Sequence, residues 1–333
     1  ITPLEPLIEE GYILLTPNYR LARRIKAEWD ARRKAAGKRV WEPLSVQPLE
    51  SWLLGQWERA VSDHILPPLT PLGSAQALEL WRQVIVQQQM QSSDYLLLRP
   101  AAAAELASQA RDTLRRWQVD MHTPGIRQSF ELEQDCGTFL HWLTLFEQQL
   151  AASGQCTTVD CLVQLPALSR QHPGARVALL EFVDIAPLVR AALRALCTHL
   201  LEINVQEPPA ERLLHSFSDK RAEMQAVAAW AAALHRARPT ETIGIVLNNL
   251  ESDRVCLEYL LRREFDCLGE NYNSLPVNFS TGITLAQAPL IRDALAVLAM
   301  GLQHTTVPAV IALLHSRFIY LPDAQSAHSQ QFI

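Results

Sequence analysis

The chain has 333 residues, 48% of them hydrophobic and 20% charged, with a formal net charge of -5. That length supports a large core and two subdomains or more, and the acidic balance excludes a whole-surface polyanion binder while leaving room for a local basic track. No apolar run approaches the length of a membrane span and the N-terminus lacks a signal-peptide apolar region, so a soluble cytoplasmic protein with no membrane partner is expected.

Residues 11–33, GYILLTPNYRLARRIKAEWDARR, change period midway, from strand to helix. Tyr12-Ile13-Leu14-Leu15 is a short apolar run of the length of a fully buried strand. Thr16-Pro17-Asn18 breaks it, because proline donates no amide hydrogen and biases its predecessor away from helix. From Tyr19 the period becomes helical: Leu21, Ala22, Ile25, Ala27 and Trp29 lie near one face, and Arg20, Arg23, Arg24 and Lys26 crowd the other. Residues 20–39 hold a concentration of cations, Arg20 to Arg39, against only Glu28 and Asp30.

Arginines on an amphipathic helix ordinarily form its solvated face. Their position favours a further role here. A strand, a polar turn and a cationic helix start place Thr16, Asn18, Arg20, Arg23 and Arg24 where open α/β sheets bind their ligands. These five residues are the candidate group for holding a nucleotide or nucleic acid.

Next, Val40 to Val46 is a predicted second strand, weakened by Pro43, and Glu50 to Val61 an amphipathic helix carrying Trp52, Leu53, Leu54 and Trp57. The proline-rich LPPLTPLGS at 66–74 marks a subdomain edge. Residues 75–165 carry three helical patterns, with breakers at Ser92–Ser93 and Thr123-Pro124-Gly125, and no convincing strand. Trp81, Trp117 and Trp142 sit among apolar neighbours at helical spacing, which predicts core packing over base stacking.

Strand character returns at Val177 to Leu180, followed by Glu181-Phe182-Val183-Asp184, a helix opened by Pro187 and a short strand from Leu200 to Val205. Glu181 and Asp184 are a candidate nucleotide or Mg²⁺ pair, since a strand ending in carboxylates is where nucleoside triphosphatases hold the ion; carboxylates at strand ends are also common without that role. From 213 a new α/β unit begins: a helix with Ser218 as N-cap, a strand Ile243–Leu247, a helix at 251–264, a turn-rich stretch at 269–284, and helices at 287–302 and 307–315. The closing AHSQQFI forms no cap, as in an excised fragment.

Several chemistries lack their residues. There is no G-x-x-x-x-G-K-[ST] to cradle phosphates, and no G-x-S-x-G, H-E-x-x-H or G-x-G-x-x-G. Pro322-Asp323 lacks the following E-x-K of a PD-(D/E)xK nuclease. The six cysteines form no CxxC pair and have no matching histidine spacing, so no metal site and no cofactor is expected, and dispersed thiols fit a reducing compartment.

LLTPNYRLARRIKAEWDARRKAAGKRVWEPLSVQPLESWL resembles the N-terminus of a bacterial family of DNA repair proteins similar to the AddB/RexB-type subunits of recombination helicase–nucleases. LLEFVDIAPLVRAALRAL, FSDKRAEMQAVAAWAAAL, IGIVLNN and NFSTGITLAQAPLIRDALAVL extend the resemblance over most of the chain. It implies a P-loop-NTPase/helicase-like parallel-sheet α/β domain at 1–65 and 166–212, an all-helical insertion at 66–165, and an incomplete second helicase-like α/β domain at 213–333. It also implies an inactivated ATPase, since the Walker A loop is missing and the acidic strand end reads Glu181…Asp184 rather than DE. The family's nuclease lies at the C-terminus and is not in this chain, so this stretch is expected to be no enzyme by itself. The expected function is a non-catalytic module that holds single-stranded or end DNA and a helicase or nuclease partner subunit during double-strand-break repair. The rivals are a divergent Mg-dependent nucleotide hydrolase using Glu181 or Asp184, and a scaffold that binds protein only.

Overall fold

The computed structural model describes residues 4–91, 99–121, 123–168, 174–204, 210–270, 274–280, 282, 284–302, 306–316 and 318–319. Ser92–Ser93, Val205 and Pro322-Asp323 lie outside the described residues, as does part of the turn-rich stretch at 269–284. The chain divides into two compact units, Ile1–Pro209 and Ala210–Ile333.

In the first unit a short helix α1 (Glu5–Glu9) leads into strand β1 (Ile13–Thr16), whose last three residues are buried. Pro17 ends the strand, and Asn18 caps helix α2 (Tyr19–Ala35), its Oδ1 accepting the Leu21 N–H at 3.0 Å. Ala22, Ile25 and Trp29 form the buried stripe of α2. Strand β2 (Val46–Pro48) pairs parallel to β1, Leu14 opposite Val46. The strand expected from Val40 therefore starts only at its last residue. Pro43 has no N–H to give a ladder, and pairing begins where the Leu14 N–H donates to the Ser45 carbonyl at 2.9 Å. Pro48 is tolerated because β2 is an edge strand.

Helix α3 (Leu49–Ser62) buries Trp52, Leu53, Trp57 and Ala60. Helices α4 (Ser74–Gln91), α5 (Pro100–Arg116), α6 (Pro124–Glu131), α7 (Gln134–Ser153) and α8 (Thr158–Gln164) follow. The expectation of no strand here is amended by one clasp: β3 (Thr70–Pro71) pairs parallel to β4 (Gln155–Cys156), tying the entry of the helical segment to its exit. Trp81 stacks on Phe146 at 4.0 Å between centroids, and both belong to a core shared with Ile85, Trp142 and Leu150. Trp117 departs from the expected packing. It is the C-cap of α5, past the last helical turn, and lies half exposed.

A buried ion pair ties α5 to α8. Arg111, only 3% exposed, donates Nη2–H to Asp160 Oδ1 at 2.8 Å and Nη1–H to Thr157 Oγ1 at 3.0 Å. Burial pushes the Asp160 carboxyl up, but the Arg111 charge, with hydrogen bonds from Arg111 and Thr157, outweighs that and holds it below its ordinary value.

Strand β5 (Ala175–Leu180) returns beside β1, helix α9 (Pro187–Leu196) follows, and strand β6 (Cys197–Ile203) closes a sheet of order β2-β1-β5-β6 with every pair parallel. Both faces are covered, as all-parallel sheets require. Leu15, Val177 and Leu179 pack against α3, α8 and α9, whereas Leu14, Ala178 and Leu180 pack against α1 and α2. The sequence thus folds into a mixed α/β structure built on a four-stranded parallel sheet.

In the second unit, helices α10 (Lys220–Ala237), α11 (Leu250–Glu264), α12 (Pro289–Leu302) and α13 (Val307–Leu314) are present. Asp219, rather than the expected Ser218, caps α10, its Oδ1 accepting the Ala222 N–H at 2.8 Å. The expected strand Ile243–Leu247 is not a strand. Its alternation is real, with Ile243, Ile245 and Leu247 packed on the core of Met224, Leu257 and Leu261 and Val246 outside, but no segment among the described residues pairs with its backbone. Side-chain burial has the period of a strand here without the hydrogen-bonded ladder that defines one. Among the described residues no helix is long and apolar enough to cross a membrane.

Candidate nucleic-acid interface

The chain runs from β1 to β2 on one side and then returns to β5 on the other side of β1. This makes the gap between β1 and β5 a topological switch point, and open α/β sheets bind ligands in the crevice outside the carboxyl ends of strands flanking such a point. The Thr16-Pro17-Asn18 turn ends one of these strands and Glu181 to Asp184 ends the other. Two groups distant in the sequence thus come to neighbouring strand ends.

Thr16 does not face the crevice. It is fully buried, and its hydroxyl donates to the Asn18 carbonyl at 2.9 Å. Its expected role as a contact is corrected to one of holding the turn. Asn18 is exposed, and although its Oδ1 caps α2, its Nδ2 has no partner among the described residues. Arg20, Arg23 and Arg24 are all exposed, spaced three and four apart along one face of α2. Arg24 pairs with Glu28 at 3.3 Å between two exposed side chains, a contact of little energetic weight. Arg20 and Arg23 have no ion-pair partner among the described residues.

The placement of these cations is against the helix. A helix N-terminus carries partial positive charge, so a cation in its first turn is unfavourable and an anion favourable. The first turn of α2 contains Arg20 and no acidic residue. An anionic ligand at this end would reverse the sign of that interaction.

Tyr19 joins the group although its residue type and position gave it no separate signal in the sequence beyond standing between the cap and the arginines. Tyr19 is 61% exposed, and its hydroxyl lies 2.6 Å from Ser51 Oγ in the first turn of α3. An aromatic ring held at its tip, one helical turn from Arg23, offers an exposed face on which a planar group could stack.

On the β5 side, Glu181 has a φ of 61°, the left-handed region that a side chain adopts at a cost. Its N–H donates to the Ile203 carbonyl of β6 at 2.9 Å, which holds it in that conformation. Val183 and Asp184 are exposed, Ile185 turns back into the core, and α9 starts at Pro187 with no side-chain hydrogen bond at its N-cap. Among the described residues no group of three or more His, Cys, Asp or Glu side chains is arranged to hold a metal ion.

No protein-family model matches the chain, and no curated protein is significantly similar to it.

Proposed function

We propose that the first unit is a non-catalytic, helicase-like module that holds single-stranded or end DNA in a repair complex containing a helicase or nuclease partner subunit. The observation that carries the DNA reading is the exposed set Asn18, Tyr19, Arg20 and Arg23 at the N-terminal end of α2, beside the switch point between β1 and β5. Hydrogen-bond donors, an aromatic face and two unpaired cations at one helix start are the groups that track a phosphate backbone and stack a base without reading sequence. The parallel sheet covered by helices on both faces supports the P-loop-like assignment, and the absence of a glycine-rich phosphate loop supports an inactive site. Titration of a labelled oligothymidine with the chain at several salt concentrations tests this reading. Binding at micromolar Kd or weaker is expected, in the usual non-specific range of about 10⁻⁴–10⁻⁶ M.

A second reading, a divergent Mg-dependent nucleotide hydrolase, is favoured by one observation: the left-handed backbone of Glu181 at the end of β5. Strain of this kind collects at active sites as well as at structural turns. DNA-stimulated ATP turnover that disappears in Glu181→Gln is the result that would promote it.

A further inference from the structure

The fold divides the basic run of residues 20–39 into two groups. Arg20, Arg23 and Arg24 stand at the start of α2, beside the carboxyl ends of the strands. Arg33, Lys34, Lys38 and Arg39 come at or after the end of this 17-residue helix, about 25 Å along its axis, at the edge where the strands begin. Cations in a last helical turn are favoured by the helix dipole, which accounts for Arg32, Arg33 and Lys34. It does not account for Lys38 and Arg39, which lie beyond the helix.

At that edge the segments leading into β1 and β2 wall an open cleft of about 620 Å³. Tyr12, Trp29, Val40, Trp41, Pro43 and Leu44 supply its apolar surface, and Arg33 and Lys38 line it as well. The Arg33 guanidinium sits 3.9 Å over the Trp29 ring, which fixes the cation through its face and leaves its edge donors for another group. None of Arg33, Lys34, Lys38 and Arg39 has an ion-pair partner among the described residues. Trp29 is 6% exposed, and its indole Nε1, a buried donor, has no hydrogen-bond partner among the described residues either. Such a donor ordinarily finds one.

We propose that this cleft docks an acidic peptide segment of a partner protein, seating one aromatic or aliphatic side chain among Tyr12, Trp41 and Val40 with flanking carboxylates on Arg33 and Lys38. The chemistry favours a peptide over a nucleic acid. Glu9 and Glu42 also line the cleft. A strand with a charge at every phosphate would be drawn past both carboxylates, whereas a peptide presents its carboxylates at chosen positions. The cleft's apolar residues also reward a single anchoring side chain. The proposal does not depend on the DNA reading, because the two surfaces lie at opposite ends of α2.

Fluorescence polarisation of the full chain with labelled acidic peptides, aspartates surrounding a single Phe, Trp or Leu, tests it. At least one of these is expected to bind saturably with a Kd below about 100 μM, weak but specific on the usual affinity scale. Its alanine-anchored counterpart is expected to bind about tenfold more weakly or worse. Arg33→Glu combined with Lys38→Glu is expected to weaken binding by about tenfold or more while leaving thermal unfolding and oligothymidine binding in place. Val40→Glu, at a largely exposed position on the cleft wall, is a second variant expected to block the peptide. No saturable binding by any of the peptides, equal binding of the alanine-anchored peptide, or parental binding by both variants overturns the proposal. Displacement of the peptide by oligothymidine also overturns it, since the cleft would then belong to a nucleic-acid track.

Discussion

Leu15 and Leu179 are register partners in adjacent parallel strands, although the whole helical segment from α4 to α8 lies between them in the sequence. Their pairing brings the turn that carries Asn18 and the turn that carries Glu181 to neighbouring strand ends. The helical segment can occupy that interval because β3 and β4 clasp its two ends together, so the sheet sees it as a short connection.

Within the helical segment Arg111 and Asp160 tie α5 to α8, and this pair yields a stability prediction. Asp160→Ala leaves the buried Arg111 guanidinium without its nearest carboxylate and is expected to cost about 3–5 kcal/mol in chemical denaturation. Replacing both residues, Arg111→Met with Asp160→Leu, is expected to recover most of that loss, because the charge that needed a partner is gone. A double variant as unstable as the single one would show that the pair is not what holds α5 to α8.

The same pair sets a pH dependence. Asp160 is held below its ordinary value in the folded chain, so its contribution to stability is complete above the unfolded carboxylate value of about 4 and is lost as pH falls through the lower folded value. Acid unfolding curves of the parent and of Asp160→Asn are expected to keep a constant separation above about pH 4 and to converge as pH falls below it toward the lower folded value. Curves still parallel below that pH would remove Asp160 from the acid-sensitive groups.

Glu181 offers a test that separates structural strain from chemistry. Glycine adopts a φ near 61° without penalty, so Glu181→Gly is expected to leave stability unchanged or raise it by about 1 kcal/mol. With no phosphate-cradling loop, neither the parent nor this variant is expected to hydrolyse ATP, with or without DNA. Turnover by the parent that vanishes in Glu181→Gly and in Glu181→Gln would favour the hydrolase.

Tyr19 is expected to contribute through its ring. Tyr19→Ala should weaken oligothymidine binding by about 1–3 kcal/mol, the range for loss of one stacked base, and Tyr19→Phe should keep most of the affinity while losing only the contact to Ser51. Equal loss in both variants would assign Tyr19 to bracing α2 against α3.

Much of the first unit was legible because burial alone determines it. β1, α2, β5 and α9 each present the period of their element to a core covered on both faces. The start of β2 was misplaced because Pro43 removes a ladder donor from a segment whose side chains still look strand-like. The Ile243–Leu247 segment misled for a related reason: pairing is a non-local event, and side-chain alternation persists without it. Within the candidate site, the arginines were readable from helical spacing, but Thr16 was not. β1 is buried on both faces, so no alternation reveals which way its last side chain points. The division of residues 20–39 between two ends of one helix also needed the fold, since a charge run is contiguous only along the sequence.

The DNA-binding role proposed for the α2 start is tested most directly by the salt dependence of oligothymidine affinity in the parent chain and in the triple variant Arg20→Ala, Arg23→Ala, Arg24→Ala. Each phosphate neutralised on a single strand adds about 0.7 to the slope of log K against log salt. The variant is expected to bind more weakly and to have a slope flatter by about two units. A triple variant whose affinity and salt slope match the parent's would contradict the assignment of this helix start to DNA.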